Sequence, residues 1–202
     1  VGDRAVSSSF LSEEEIQSLG LAGCGQEVRI SKYARIYSPA QVTVGNNVRI
    51  DDFSILSGGK GICIGSNVHI GAHSALYGGA GIVLDDFSGI SGRVSLYSVS
   101  DDYSGCTLTN ATIPEEFRPR LCRGEIRLGR HAIVGAASTI LPGVSVGEGC
   151  AIGAHSLVTK DCDPWMVYFG CPAKALRKRK RGLLASESEF LDWWSGERTP
   201  RS

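Results

Sequence analysis

The chain has 202 residues, enough for one domain with short appendages. Hydrophobic residues make up 42% and charged residues 21%, and 21 Lys and Arg balance 21 Asp and Glu. That balance argues against binding nucleic acid or membranes through bulk charge, and no apolar run approaches the roughly 18 residues of a membrane span. Glycine is abundant at 26 residues while aromatics are only 7%, a composition suited to many tight corners around a narrow core. Seven Cys at irregular spacing, with no charged-then-apolar leader ahead of them, read as reduced thiols in a cytoplasmic protein.

Residues 1–27 form an N-terminal extension. Within it Ser12-Glu13-Glu14-Glu15 ahead of Ile16 predicts a capping box on a short helix ending near Gly20, with Leu11 placed as its staple. From residue 28 to 172 an internal repeat takes over. Aliphatic residues mark a six-residue frame at Ile30, Ile36, Val44, Ile50, Leu56, Ile64, Ile70, Leu76, Leu84, Ile90 and Leu96, and it resumes at Leu128, Val134, Ile140, Val146, Ile152 and Val158. Four positions after each of the later ones stand Ala132, Ser138, Val144, Cys150, Ser156 and Cys162, so Cys150 and Cys162 are expected in the core. The steps Ile36 to Val44, Leu56 to Ile64 and Leu76 to Leu84 are eight instead of six. Three hexads make one triangular turn, so the extra residues fall at one corner, drawn from Gly-rich stretches at Ser57–Gly61 and Tyr77–Gly81. The step from Leu96 to Leu128 is 32, which puts a long excursion, about 101–126, at that same corner. A loop of this length in a compact domain is usually functional. The fold predicted is all-β: a parallel β-helix with one short strand per face. Residues 173–202 are expected to form a C-terminal helix, Ala173 to Trp194 interrupted at Gly182, then a disordered tail from Gly196, with Arg177–Arg181 as a solvated helix face.

This frame resembles the hexapeptide-repeat acyltransferases, the superfamily of galactoside and maltose acetyltransferases. The resemblance covers roughly 28 to 180 and is strongest at Leu128–Val144, Val146-Gly-Glu-Gly, Ile152–Asp161 and Gly170-Cys-Pro-Ala-Lys. It implies a left-handed winding, a homotrimer with active sites at subunit interfaces, and acetyl-CoA or another acyl-CoA as co-substrate. Arg49–Gly59, Ser100–Gly105 and Ile113–Arg118 are most similar to a narrower group, the N-acyltransferases of dTDP-4-amino-4,6-dideoxyglucose, whose products enter surface polysaccharide such as lipopolysaccharide.

Acyl transfer from a thioester needs a nucleophile, a proton acceptor, oxyanion donors and a grip on CoA. In the sugar O-acetyltransferases of the superfamily a His opens the long loop; here that position holds Asp101, followed by Asp102. A sugar hydroxyl is a weak acid that needs a strong base, whereas an amine already offers its lone pair, so the missing His favours an amine acceptor. Asp101 is the expected catalytic residue, with His73 the alternative base. Asp51, Asp52, Arg93, Asp102, Tyr103 and Asn110 are the candidate acceptor contacts. The resemblance places CoA against the backbone at Ala136 and Ala154, beside Thr159 and Lys160, with Lys174 and Arg177 meeting its phosphates. His131 and His155 repeat the hexad position of His73 and read as solenoid-surface residues. One carbonic-anhydrase class sharing this fold holds zinc through three His, but the four His here lack the needed spacing and no CxxC occurs, so no metal is expected. The function implied is N-acylation of a nucleotide-linked amino sugar. Sugar O-acetylation is the alternative, and a trimeric scaffold without catalysis the remaining one.

Overall fold

A computed structural model describes residues 9–196. The capping box forms as expected: the Glu15 amide donates to Ser12 Oγ at 3.2 Å and the Ser12 amide donates to Glu15 Oε2 at 2.7 Å. It opens helix α1, Glu13–Ser18, which buries Ile16 against the solenoid, with Leu11 packed beside the same core. The helix closes the open N-terminal end of the coil stack.

The hexad frame then winds three parallel faces. The first carries Gly23–Cys24, Val42–Val44, Ile62–Ile64, Ile82–Leu84, Ile126–Leu128 and Ser145–Val146. The second runs from Arg29–Ile30 through Arg49–Ile50, His69–Ile70, Gly89–Ile90 and Ile133–Val134 to Ala151–Ile152. The third holds Arg35–Tyr37, Ile55–Ser57, Ala75–Tyr77, Ser95–Tyr97, Thr139–Ile140 and Leu157–Val158. Register is strict, with Ile50 opposite Ile70 and Leu56 opposite Leu76, so each aliphatic of the frame stacks on its counterpart one coil away. The axis is filled by this ladder, and Ile50, Leu56, Ile70, Leu76 and Leu96 are fully buried. Cys150 and Cys162 join the core, as their place in the frame predicts. Their thiols face each other, and this contact together with burial raises Cys150 well above the usual thiol range, whereas the same contact lowers Cys162.

Glycine is obligatory where coils nearly touch. A Cβ on Gly135 would lie 2.4 Å from the Ala154 amide nitrogen, and one on Gly45 would lie 2.7 Å from the Gly65 carbonyl carbon. Gly58–Gly61 and Gly78–Gly81 bulge at the corner between the third and first faces, and the chain leaves that corner after Tyr97 for the long loop. The loop is less featureless than its sequence implies. Val99–Ser100 pairs antiparallel with Cys122–Arg123 at its base, and Glu115–Phe117 makes a 3-10 turn.

The C-terminal expectation needs correcting. Lys174–Lys178 is not helical but a strand, antiparallel to Met166–Phe169, and it forms the edge of the second face. Helix α2 is confined to Leu183–Ser195. The unpaired edge that the last coil offers is satisfied by this hairpin, a long-range demand that outweighs the helical propensity of Lys, Ala, Leu and Arg. The Arg177–Arg181 run is therefore no helix face, and the tail beyond Gly196 lies outside the described residues.

Candidate active site

The residues singled out in the sequence fall on different corners of the triangle. At the corner between the second and third faces, the fourth residue of each hexad turns left-handed: Phe53, His73, Arg93, Ala137 and His155 have φ of 60°, 60°, 62°, 59° and 56°. Their amides donate across the coils, His73 to the Asp52 carbonyl and Arg93 to the Ala72 carbonyl, each at 2.9 Å. Tyr33, Phe53 and His73 stack in sequence with ring centroids 5.5 and 5.0 Å apart, so His73 is an exposed rung of an aromatic ladder. Asp51 sits beside this column, gripped by Arg49 Nε at 2.6 Å and by His69 Nε2 at 2.8 Å. Burial acts to raise Asp51, but the hydrogen bonds to His69 and Arg49 outweigh it and hold the carboxyl below its ordinary range. Asp52 accepts the Ser31 hydroxyl at 2.5 Å.

Further along this corner Ala136 and Ala154 are exposed and their amides make no hydrogen bond among the described residues, although the Ala136 carbonyl accepts the His155 amide at 2.8 Å. Thr159 and Lys160 are exposed at the end of the last third-face strand. Lys174 and Arg177 stand exposed on the terminal strand opposite Phe169 and Val167. Ala136 and Ala154 therefore flank one end of the third face and Thr159 and Lys160 the other, with the cations of the terminal strand on the second face.

Asp101 lies at the other end of the third face, in a cavity of about 510 Å³ lined by Tyr97, Ser100, Tyr103, Arg118, Thr139 and Leu141 among others. Its Oδ1 is buried and accepts no hydrogen bond among the described residues. Arg118 Nη1 stands 3.5 Å from that oxygen, close enough for charge attraction but outside good hydrogen-bond geometry, and Arg118 is itself fixed by donating Nε to the Ile113 carbonyl at 2.8 Å. A carboxylate oxygen kept dry without a donor costs about 1–3 kcal/mol, and such a group marks a place where an incoming donor is expected.

The neighbouring loop residues divide by role. Asp102 is consumed by the loop: its Oδ1 accepts the Ser104 hydroxyl at 2.6 Å and amide at 2.8 Å, and Oδ2 accepts from Thr107. Hydrogen bonds from Ser104 lead the effects that hold its carboxyl below the usual range. Asn110, at φ 72°, likewise turns the loop by accepting the Thr112 amide and hydroxyl. Tyr103 is 94% exposed at the rim. Within one chain the structure thus brings together Asp101, Tyr103 and the loop on one corner, and Asp51, Asp52, His73, Arg93, Ala136 and Ala154 on another.

Sequence reasoning missed Arg118, although it stands in the Ile113–Arg118 segment that carries part of the resemblance. It also placed His131 on the surface. His131 is instead buried, only 7% exposed, between Phe87 and Trp165, with Nε2 2.7 Å from Glu187 Oε2 of α2. Only the long-range return of α2 covers it, whereas His155, at the same hexad position, stays exposed. Arg179 is a second surprise: its Nη1 donates to the His131 and Gly149 carbonyls, both at 2.9 Å, pinning the chain to the solenoid.

The parallel coil of hexads is the architecture of the hexapeptide-repeat transferases, and the bacterial transferase hexapeptide family (six repeats) matches residues 125–160. The dTDP-4-amino-4,6-dideoxy-D-glucose acyltransferase of Escherichia coli is 39% identical over 183 residues, 90% of this chain and 95% of that protein. Among solved structures, AntD, an N-acyltransferase from Bacillus cereus in complex with dTDP and 3-hydroxybutyryl-CoA, superposes with a TM-score of 0.90 at 45% identity, over 94% of this chain and 100% of that one. A serine-to-cysteine form of AntD holding dTDP-4-amino-4,6-dideoxyglucose and coenzyme A gives 0.89 at 45% identity, over 92% and 98%. The chain belongs to the dTDP-4-amino-4,6-dideoxyglucose acyltransferase family.

Proposed function

We propose that the protein transfers the acyl group of an acyl-CoA, acetyl-CoA in the first instance, to the 4-amino group of dTDP-4-amino-4,6-dideoxyglucose. The observation that carries this is the buried, undonated Oδ1 of Asp101 in the loop cavity, where an ammonium or amine N–H supplies the missing donor. Asp101 accepts a proton from the sugar ammonium while Arg118 keeps the carboxylate oriented. The freed nitrogen lone pair attacks the thioester carbonyl, a C–N bond forms, and the oxyanion is met by backbone amides such as those of Ala136 or Ala154. Collapse breaks the C–S bond, the nitrogen releases its second proton, and the CoA thiolate leaves able to take it. Lys174 and Arg177 are suited to the CoA phosphates. His73 is ill placed to replace Asp101 within one chain, because it occupies a different corner.

That separation supports a homotrimer in which the loop corner of one subunit faces the ladder corner of its neighbour. The ligands held by AntD support the nucleotide sugar and the CoA thioester, and its 3-hydroxybutyryl-CoA complex makes a longer acyl donor a direct competitor of acetyl-CoA. No described helix is long and apolar enough to cross a membrane, and we place the reaction in the cytoplasm, upstream of surface polysaccharide assembly. Thiol release from acetyl-CoA and 3-hydroxybutyryl-CoA, measured with 4-amino and 3-amino deoxysugar nucleotides and with plain sugars, tests the reading. Turnover with the 4-amino nucleotide is expected, and turnover restricted to hydroxyl acceptors would overturn it in favour of O-acetylation.

A further inference from the structure

The terminal strand carries one residue too many for the place it fills. On its neighbour, Met166–Phe169, side chains alternate: Met166 and Tyr168 turn to the core, whereas Val167 and the exposed Phe169 lie on the outer face. Lys174 pairs with Phe169 and Ala175 with Tyr168, but it is Arg177, and not Leu176, that pairs with Val167. The register shifts between Val167 and Tyr168, so Leu176 is the extra residue of a β-bulge, its side chain left 66% exposed. In a regular strand, residues three apart point to opposite faces. Lys174 and Arg177 are three apart, yet the bulge sets both opposite outward residues and so brings both cations to one face. That face starts at the corner of the Ala154 amide, because Phe169 packs on Gly153 so closely that a Cβ there would strike its ring.

Two fixed ends create the surplus. At one end the Ala173 amide donates to the Leu157 carbonyl at 2.8 Å. At the other the Arg179 amide donates to the Trp165 carbonyl at 2.8 Å, while its Nη1 reaches the His131 and Gly149 carbonyls at 2.9 Å and the Cys150 carbonyl at 3.4 Å. From the Phe169–Lys174 pair to the Trp165–Arg179 bond, six residues of the terminal strand span the length of five on its neighbour. One of them must bulge while both ends hold. With the Arg179 end released, the strand pairs regularly from Lys174. Leu176 then stands opposite Val167, and Arg177 stands opposite Met166, on the other face from Lys174. A bulge disrupts the local ladder, so it persists here because a guanidinium held by distant carbonyls decides the register.

We propose that Arg179 is a positioning residue for the acyl donor: its grip on the solenoid carbonyls selects the bulged register, which turns Arg177 to the face of Lys174 so that the two cations meet the CoA phosphates together. This rests on the donor reading above, in which Lys174 and Arg177 take those phosphates. Arg179 acts through Arg177 and not by its own charge, since its Nη1 is occupied by carbonyls.

The test exchanges neighbours across the bulge. Binding of CoA alone and of dTDP alone to the full chain is measured by calorimetry, well below the Tm of each variant, with acylation kinetics alongside. Arg179→Met is expected to weaken CoA about 10-fold, the usual worth of one charge-assisted contact, with dTDP affinity unchanged. In turnover KM for acyl-CoA rises while kcat at saturation holds. The paired exchange Leu176→Arg with Arg177→Leu keeps Arg179 and the composition of the strand, and it should also weaken CoA, because the arginine now sits on the bulge. Combined with Arg179→Met, the same exchange should recover most of the lost affinity, because the regular register carries position 176 to the outer face. This reversal of sign separates a register effect from simple loss of stability. An exchange that leaves CoA binding unchanged in the presence of Arg179 overturns the proposal, as does one that fails to restore binding in Arg179→Met. Loss of dTDP binding together with CoA binding in Arg179→Met also overturns it, since the residue would then hold up the whole fold. Lys174→Ala and Arg177→Ala distinguish the two levels: if neither weakens CoA, the donor reading fails, whereas if both do and the exchanges have no effect, only the positioning role fails.

Discussion

Asp101 differs from the other acidic residues of the site in what its oxygens do. Asp51, Asp52 and Asp102 are occupied by neighbours on their own chain, whereas Asp101 Oδ1 has only the charge of Arg118 beside it. Removing the carboxylate charge should therefore cost catalysis and little else. Asp101→Asn is expected to lower kcat by about 10²–10⁴-fold, the usual worth of a positioned base, with CoA affinity unchanged in a direct binding measurement. His73→Asn should change kcat only a few-fold, because the imidazole is a stacking rung on another corner; equal losses in the two variants would mean that the subunits bring both groups to one amine. The sequence made Asp101 legible because the frame counts directly to the loop entry. It hid Arg118, which meets Asp101 across a loop that has no periodicity from which to count. Arg179 was hidden because its partners are far off in the chain. Burial lowers its guanidinium below the ordinary range, and its bonds run to the His131 and Gly149 carbonyls. Arg179→Met should destabilise the C-terminal coils by about 2–3 kcal/mol, read from denaturant unfolding, because buried carbonyls lose a charged donor.

At the scale of elements, α2 is held to the solenoid by an aromatic and ionic clasp. Phe190 meets Phe87 edge-on at 5.8 Å, Arg130 lies over Phe87 at 4.7 Å, and Glu187 pairs with both Arg130 and His131. Burial works to raise Glu187, but hydrogen bonds from Arg130 and His131 prevail and hold the carboxyl below its usual 4.5. A depressed carboxyl stabilises the docked helix fully above that usual value and loses its contribution as pH falls through the folded value. Undocking of α2 should therefore set in below about pH 4.5, reported by fluorescence of Trp193 and Trp194, and Glu187→Gln should weaken docking at neutral pH while flattening this acid dependence. The other helix was readable from sequence, because a capping box is a local device. Ser12→Ala should cost about 1 kcal/mol and loosen α1 from the end of the coil stack. The strand at Lys174–Lys178 was not readable: nothing within five exposed residues states that an unpaired sheet edge awaits them.

The whole molecule is a stack in which each coil contacts mainly its neighbours, so one misfit interrupts the column. Gly135→Ala would push a Cβ to 2.4 Å from the backbone of the next coil, and it should yield poorly folded protein, seen as a lost cooperative thermal transition. Sedimentation should give three times the chain mass, since loop and ladder corners need a neighbour to meet; a stable, active monomer would show that one chain suffices. The six-residue period, the shared corner of the bulges and the long loop, the buried thiols and the capped first helix were all determined by the sequence itself, because each is a local or strictly periodic relation between residues close in the chain. The tertiary structure alone decided the fate of the terminal strand, the burial of His131 under α2 and the placing of Arg118 beside Asp101. Those features depend on which side chains meet across coils, and a one-dimensional pattern gives each residue's place in the frame without saying what covers it.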